Sequence, residues 1–119
     1  MRRQPLGMRL GMVALLLGLG GCAEQALPGP PITPRDCLLD FHLDHLDAAL
    51  ERCTAVVAAF PHLPGPLNDR YLLHSLAGDN AAACRDLAKA VQLARRLPSH
   101  RLDRLLREDL RLRQKSCQP

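Results

Sequence analysis

Apolar residues recur every three to four positions along most of the second half of the chain, the spacing of helices with one buried stripe. Leu46, Ala49, Leu50, Cys53, Val56, Val57 and Phe60 form one stripe, which Pro61 ends. Pro64-Gly65-Pro66 opens another helix to Ala77, and Gly78-Asp79-Asn80 turns the chain. Ala83, Leu87, Ala90, Val91 and Ala94 make the next stripe, stopped near Pro98. Ser99 is the expected cap of a last helix to about Lys115, with Leu102, Leu105, Leu106 and Leu110 inward. Upstream, Thr33-Pro34-Arg35-Asp36 offers an N-cap, a proline at the first helical position and an acid in the first turn. That signature predicts a short helix to about Leu43, and Asp44 is the expected cap of the helix after it. No segment alternates with period two, so no strand is expected. The pattern predicts an all-α fold of antiparallel helix hairpins.

The N-terminus follows a different rule. Arg2, Arg3 and Arg9 precede an apolar run from Leu10 to Leu19, and Gly20-Gly21 leads to Cys22. A basic start, a short apolar run and small residues before a cut describe a secretory signal peptide over residues 1–21. A membrane span would need about 20 apolar residues. With Cys22 directly after the small pair, the segment resembles a bacterial lipoprotein signal. The resemblance implies cleavage before Cys22, acyl chains such as palmitate on that residue, and anchorage to an envelope membrane. Ala23, where an Asp would signal inner-membrane retention, resembles lipoproteins sent on to the outer membrane. Four prolines between Ala23 and Arg35 predict an extended spacer of about 3.1 Å per residue, so residues 22–35 read as a lipidated tether. The helical domain is then residues 36–117.

Removing the leader changes the charge and the cysteine count. Sixteen basic residues lose three arginines, leaving 13 against 12 acids, so the formal net charge falls from +4 to +1. Nucleic acid is not an expected partner. With Cys22 acylated, Cys37, Cys53, Cys84 and Cys117 form an even set, which predicts two disulfides in an oxidising compartment. Cys37 and Cys53 lie symmetrically about His45, so an antiparallel hairpin brings them level. Cys84 and Cys117 flank the turn at Pro98-Ser99. The expected pairs are therefore Cys37–Cys53 and Cys84–Cys117, crosslinks worth about 3 and somewhat under 4 kcal/mol in the chain-entropy picture. A domain with no Trp, one Tyr and two Phe needs such staples.

The second pair of helices echoes the first. Leu46-Asp47-Ala48-Ala49-Leu50 aligns with Asn80-Ala81-Ala82-Ala83-Cys84 at an offset of 34 residues, and Cys53, Val56 and Val57 meet Leu87, Ala90 and Val91. A 34-residue period of paired helices resembles tetratricopeptide repeats over residues 30–97. Ala49, Val56, Ala83 and Ala90 fill that family's small positions, Pro61 its closing proline and Gly78-Asp79 its inter-helix turn. Asp44 stands where a glycine is usual, Tyr71 fills a small position, and the aromatic signature is mostly missing. The resemblance implies two repeats plus a C-terminal capping helix; the alternative is a five-helix bundle with a coincidental period.

Chemistry is sparse. Ser75, Ser99 and Ser116 lie in no Gly-x-Ser-x-Gly turn, and neither a phosphate-cradling glycine loop nor a His-Glu-x-x-His motif occurs, so no enzyme is expected. Asp40, His42, Asp44, His45 and Asp47 are the one grouping that could share a metal, against a plain solvated turn. No cofactor is expected. Residues 85–119 carry ten bases and four acids, and Arg104, Arg107 and Arg111 fall on one side of the last helix, a candidate partner surface. Asn68, Leu72 and Ser75 would line a groove in the repeat reading. The expected function is a lipid-anchored helical module that binds a protein; the alternative is a passive structural lipoprotein of the envelope.

Overall fold

The computed structural model describes Gly21 and residues 29–119. The leader, Cys22 and the first part of the tether lie outside the described residues. Four helices follow one another: α1 (Leu46–Ala59), α2 (Pro64–Leu76), α3 (Asn80–Arg96) and α4 (Arg104–Ser116). Among the described residues there is no strand and no helix long and apolar enough to cross a membrane. The fold is all-α. α2 is central: it packs most extensively against α3, and also meets α1 and α4.

Each turn has a local cause. Phe60 donates its N–H to Val56 and Pro61 stops α1; Pro64 and Pro66 start α2 where a missing N–H costs nothing. α2 ends in a Schellman arrangement: Gly78 N–H reaches Ser75 O at 3.1 Å and Asp79 N–H reaches His74 O at 2.9 Å. Gly78 takes φ 80°, which only glycine adopts freely. Asp79 then caps α3, accepting from Ala82 N–H at 2.9 Å.

Residues 33–43 depart from the expected helix. They form 3-10 turns at Asp36–Leu38 and, straddling the next residues, Leu43–His45. Thr33 does not cap: the N-cap is Arg35, without a side-chain bond, and Asp36 turns back on Thr33, accepting from its N–H at 2.9 Å and from its hydroxyl. Those bonds hold the Asp36 carboxyl below its ordinary pKa. Leu39 then leaves in an extended conformation and Asp40 takes φ 49°, which closes the helical route. A helix this short is marginal without packing; Cys37 supplies the anchor instead, fully buried against α1. Arg52 holds the turn by donating to the Leu39 carbonyl.

Three further expectations are corrected. Asp44 does not cap α1, whose N-cap is His45 without a side-chain bond; Asp44 lies 3.6 Å from His45 Nε2 instead. Ser99 does not cap α4, which starts at Arg104 because Asp103 accepts from Leu105 N–H at 2.9 Å. Leu105 also departs from the expected inward stripe: five residues before Leu110, it lies about 140° from it around the helix and is 74 % exposed, while Leu110 is buried.

The interior has two apolar centres. One gathers Cys37, Ala49, Cys53, Val56 and Leu73; the other gathers Leu67, Leu87, Ala90 and Leu110. Val57 packs against both. A disulfide ties each: Cys37–Cys53 with Cα atoms 4.2 Å apart, and Cys84–Cys117 at 5.6 Å. These are the two pairs named from the sequence.

Candidate functional site

α3 and α4 leave a groove between them. Val91 and Ala94 of α3 with Leu102 and Leu110 form its floor, and Arg95, Arg107 and Arg111 stand around it. Its volume is about 240 Å³. A second hollow of about 360 Å³ continues it towards the Cys84–Cys117 disulfide, sharing Val91, Arg95 and Gln114. Among the described residues no carboxylate lines either hollow. Arg107 donates to the Ser99 carbonyl at 2.8 Å, which orients its guanidinium beside the groove. Arg111 pairs with Glu108 at 2.9 Å, an exposed contact that water screens. Arg95 makes no ion pair or side-chain hydrogen bond among the described residues. Its place in the last turn of α3 suits a cation, since the carbonyl end of the helix dipole is negative.

Of the arginines singled out by sequence, Arg107 and Arg111 reach this groove and Arg104 does not. Asn68, Leu72 and Ser75 do not form an open groove. Asn68 is 4 % exposed and works inside the α2–α4 contact, where Arg113 donates to its carbonyl at 2.7 Å and its Oδ1 at 2.8 Å. Arg113 also lies 4.9 Å over the Tyr71 ring, a cation–π contact, and Asp109 accepts from Asn68 at 3.5 Å. Leu72 is half-buried, and the Ser75 hydroxyl is occupied by the Tyr71 carbonyl at 2.9 Å.

Two polar features were not singled out from the sequence. Arg70 of α2 and Asp86 of α3 form a two-pronged ion pair, Nε and Nη2 each donating at 2.7 Å. Asp86 is 7 % exposed; Thr54 lies 3.4 Å from the same guanidinium and His74 Nε2 lies 3.7 Å from Asp86. The hydrogen bonds from Arg70 to Asp86 raise the Arg70 pKa above its ordinary value. The second feature is Asp69, in an apolar cleft of about 370 Å³ lined by Leu38, Leu63, Leu97, Leu102 and Leu106, with Arg35 and Arg101 beside it. Burial pushes its pKa up to about 6, with Asp109 adding to the shift and Arg113 opposing it.

The Asp40, His42, Asp44, His45 and Asp47 grouping does not close on a point. Among the described residues no three His, Cys, Asp or Glu side chains are placed to hold a metal ion. Asp44 and His45 are 78 and 70 % exposed, the geometry of a solvated turn. Comparison of the chain with protein-family models, with curated proteins and with solved structures found no match.

Proposed function

We propose that the chain is a lipid-anchored protein of a bacterial cell envelope, non-enzymatic, whose stapled helical domain serves as a protein-interaction module. The observation that carries this reading is the α3–α4 groove, an apolar floor that no other part of the described chain covers, bordered by guanidinium groups. Two disulfides fit an oxidising compartment, in keeping with a leader that ends in the small pair before Cys22. The tetratricopeptide-like reading is supported by the 34-residue echo and by the Gly78 turn between α2 and α3. Its first repeat keeps only 3-10 turns where a first helix would stand.

Two experiments in the producing cell test it. Cys22→Ser abolishes labelling by fatty acid and releases the protein from the membrane fraction, or leaves it uncleaved; a variant still labelled refutes the anchor. A photo-crosslinking residue at Gln114, in the groove, gives one reproducible adduct, and the same residue at exposed Leu39 gives none. Absence of any adduct from Gln114 returns the protein to a passive structural role.

A further inference from the structure

We infer that the α3–α4 groove seats an acidic amphipathic helix of a partner protein, its carboxylates meeting Arg95, Arg107 and Arg111. The inference rests on the interaction-module reading and names the chemistry of its partner.

Three features of the groove select that occupant. Its charge is one-sided: three guanidinium groups border it and, among the described residues, no carboxylate lines it. A guanidinium recognises a carboxylate through two parallel N–H bonds, so the complementary ligand is anionic. Its lining is apolar at the half-buried Val91, Ala94 and Leu102, so the ligand carries an apolar stripe as well. The third feature is shape. The two hollows join along α4, whose 13 residues span about 20 Å. The trench is open to solvent along its length, and a helix buries only one of its faces in such a trench. An acyl chain laid there would remain wet on its outer side, which its hydrophobicity disfavours.

Register follows from spacing. Arg107 and Arg111 stand one helical turn apart on α4, with Cβ atoms about 6 Å apart. Two partner glutamates one turn apart match them, and a third carboxylate further along matches Arg95. Glu108 already holds Arg111 at 2.9 Å, so it competes with the partner for one of the three cations. This makes Glu108 a restraint on binding.

The test uses the purified full chain in detergent with both disulfides oxidised, and two labelled 16-residue helical peptides read by fluorescence anisotropy. Both peptides carry the same leucine stripe; one has glutamates and the other lysines on its flanks. The acidic peptide binds and the lysine peptide does not. Arg107→Glu/Arg111→Glu weakens the acidic peptide by about tenfold or more and admits the lysine peptide. Glu108→Gln, a surface change that leaves the groove intact, tightens the acidic peptide. Equal binding of both peptides, no binding of either, or no response to Glu108→Gln overturns the inference. So does competition of anionic phosphatidylglycerol vesicles, but not neutral ones, for the acidic peptide, because the occupant is then a lipid headgroup. Failure here with a persisting Gln114 adduct in cells rejects only the partner chemistry; loss of both rejects the module itself.

Discussion

Removing Asp86 is the most severe single polar change available to this domain. Its carboxylate is 7 % exposed as a residue and takes both prongs of Arg70 at 2.7 Å. The two side chains are 10 and 19 % exposed, so water cannot replace the lost partner fully. Asp86→Ala leaves a guanidinium between α2 and α3 with only Thr54, at 3.4 Å, as a hydroxyl acceptor. Breaking a buried pair from one side costs about 3 kcal/mol, a large part of the roughly 5–10 kcal/mol typical of a small domain. An internal control is the Arg111–Glu108 pair, with side chains 62 and 50 % exposed, where Glu108→Ala costs under about 1 kcal/mol. The double variant Arg70→Met/Asp86→Leu removes both charges together and is more stable than Asp86→Ala, because no ion is left unpaired. Urea unfolding at pH 7 with intact disulfides, followed by far-ultraviolet circular dichroism, measures all four proteins. A cost for Asp86→Ala no larger than that for Glu108→Ala refutes the argument, as does a double variant no better than the single one.

Asp69 has a folded-state pKa raised to about 6, so folding favours its protonated form. The associated stability is present below about pH 4 and is lost as pH rises through 6, by at most about 2–3 kcal/mol. Asp69→Asn therefore gains stability over the parent at pH 7.5 and little at pH 4, measurable by denaturant midpoints at the two values. Cys37 and Cys53 are both fully buried whereas Cys84 and Cys117 are partly exposed, so mild reductant opens Cys84–Cys117 first, as timed alkylation and peptide mapping would read. Asp40→Gly relieves a left-handed backbone at φ 49° and raises the unfolding midpoint by an amount worth about 0.5–1 kcal/mol; a fall in midpoint would count against that strain. Leu110→Ala empties the one core position α4 fills and costs about 2–4 kcal/mol in the same unfolding assay.

How much of this was legible depends on whether an element's cause is local. Pro61, Pro64 and Gly78 act on their own backbone, and the boundaries they set for α1, α2 and α3 are visible in the sequence. Hairpin symmetry made Cys37 and Cys53 a pair about His45. The same symmetry about Gly78 places Arg70 opposite Asp86, eight residues to either side, and so carried a readable signal for the ion pair. Signals failed where two local rules competed. Thr33 and Asp36 look like a helix start, yet their mutual bonds and Asp40 close the segment after one turn. Ser99 and Asp103 are both capable caps, and only Asp103 makes the bond; Leu105 was misplaced because it lies about 140° from Leu110 around the helix, off the buried stripe. Asn68 and Asp69 were opaque for another reason: their surroundings come from chain distant in sequence, α4 for Asn68, and the segments around Arg35–Leu38 and Leu97–Leu106 for Asp69.

The groove and the second staple have a common physical origin. Of the residues of α4, Leu110 alone is buried, so apolar packing by itself holds this helix weakly. Its other restraints are discrete: Arg107 to the Ser99 carbonyl near one end, and in and after its last turn Arg113 to Asn68 and Tyr71 and the Cys84–Cys117 bond. A helix fixed at separate points does not have to bury the whole of its flank against its neighbour. An unstapled domain of this size would need that apolar area for its own stability, at about 25 cal/mol per Å² removed from water. The covalent link supplies stability through the unfolded chain instead, about 3–4 kcal/mol for a closed loop of 33 residues. It thereby leaves Val91, Ala94 and Leu102 bordering a trench in place of a closed core. The Cys84–Cys117 link is in this way also what allows so small a domain to leave part of its apolar surface open.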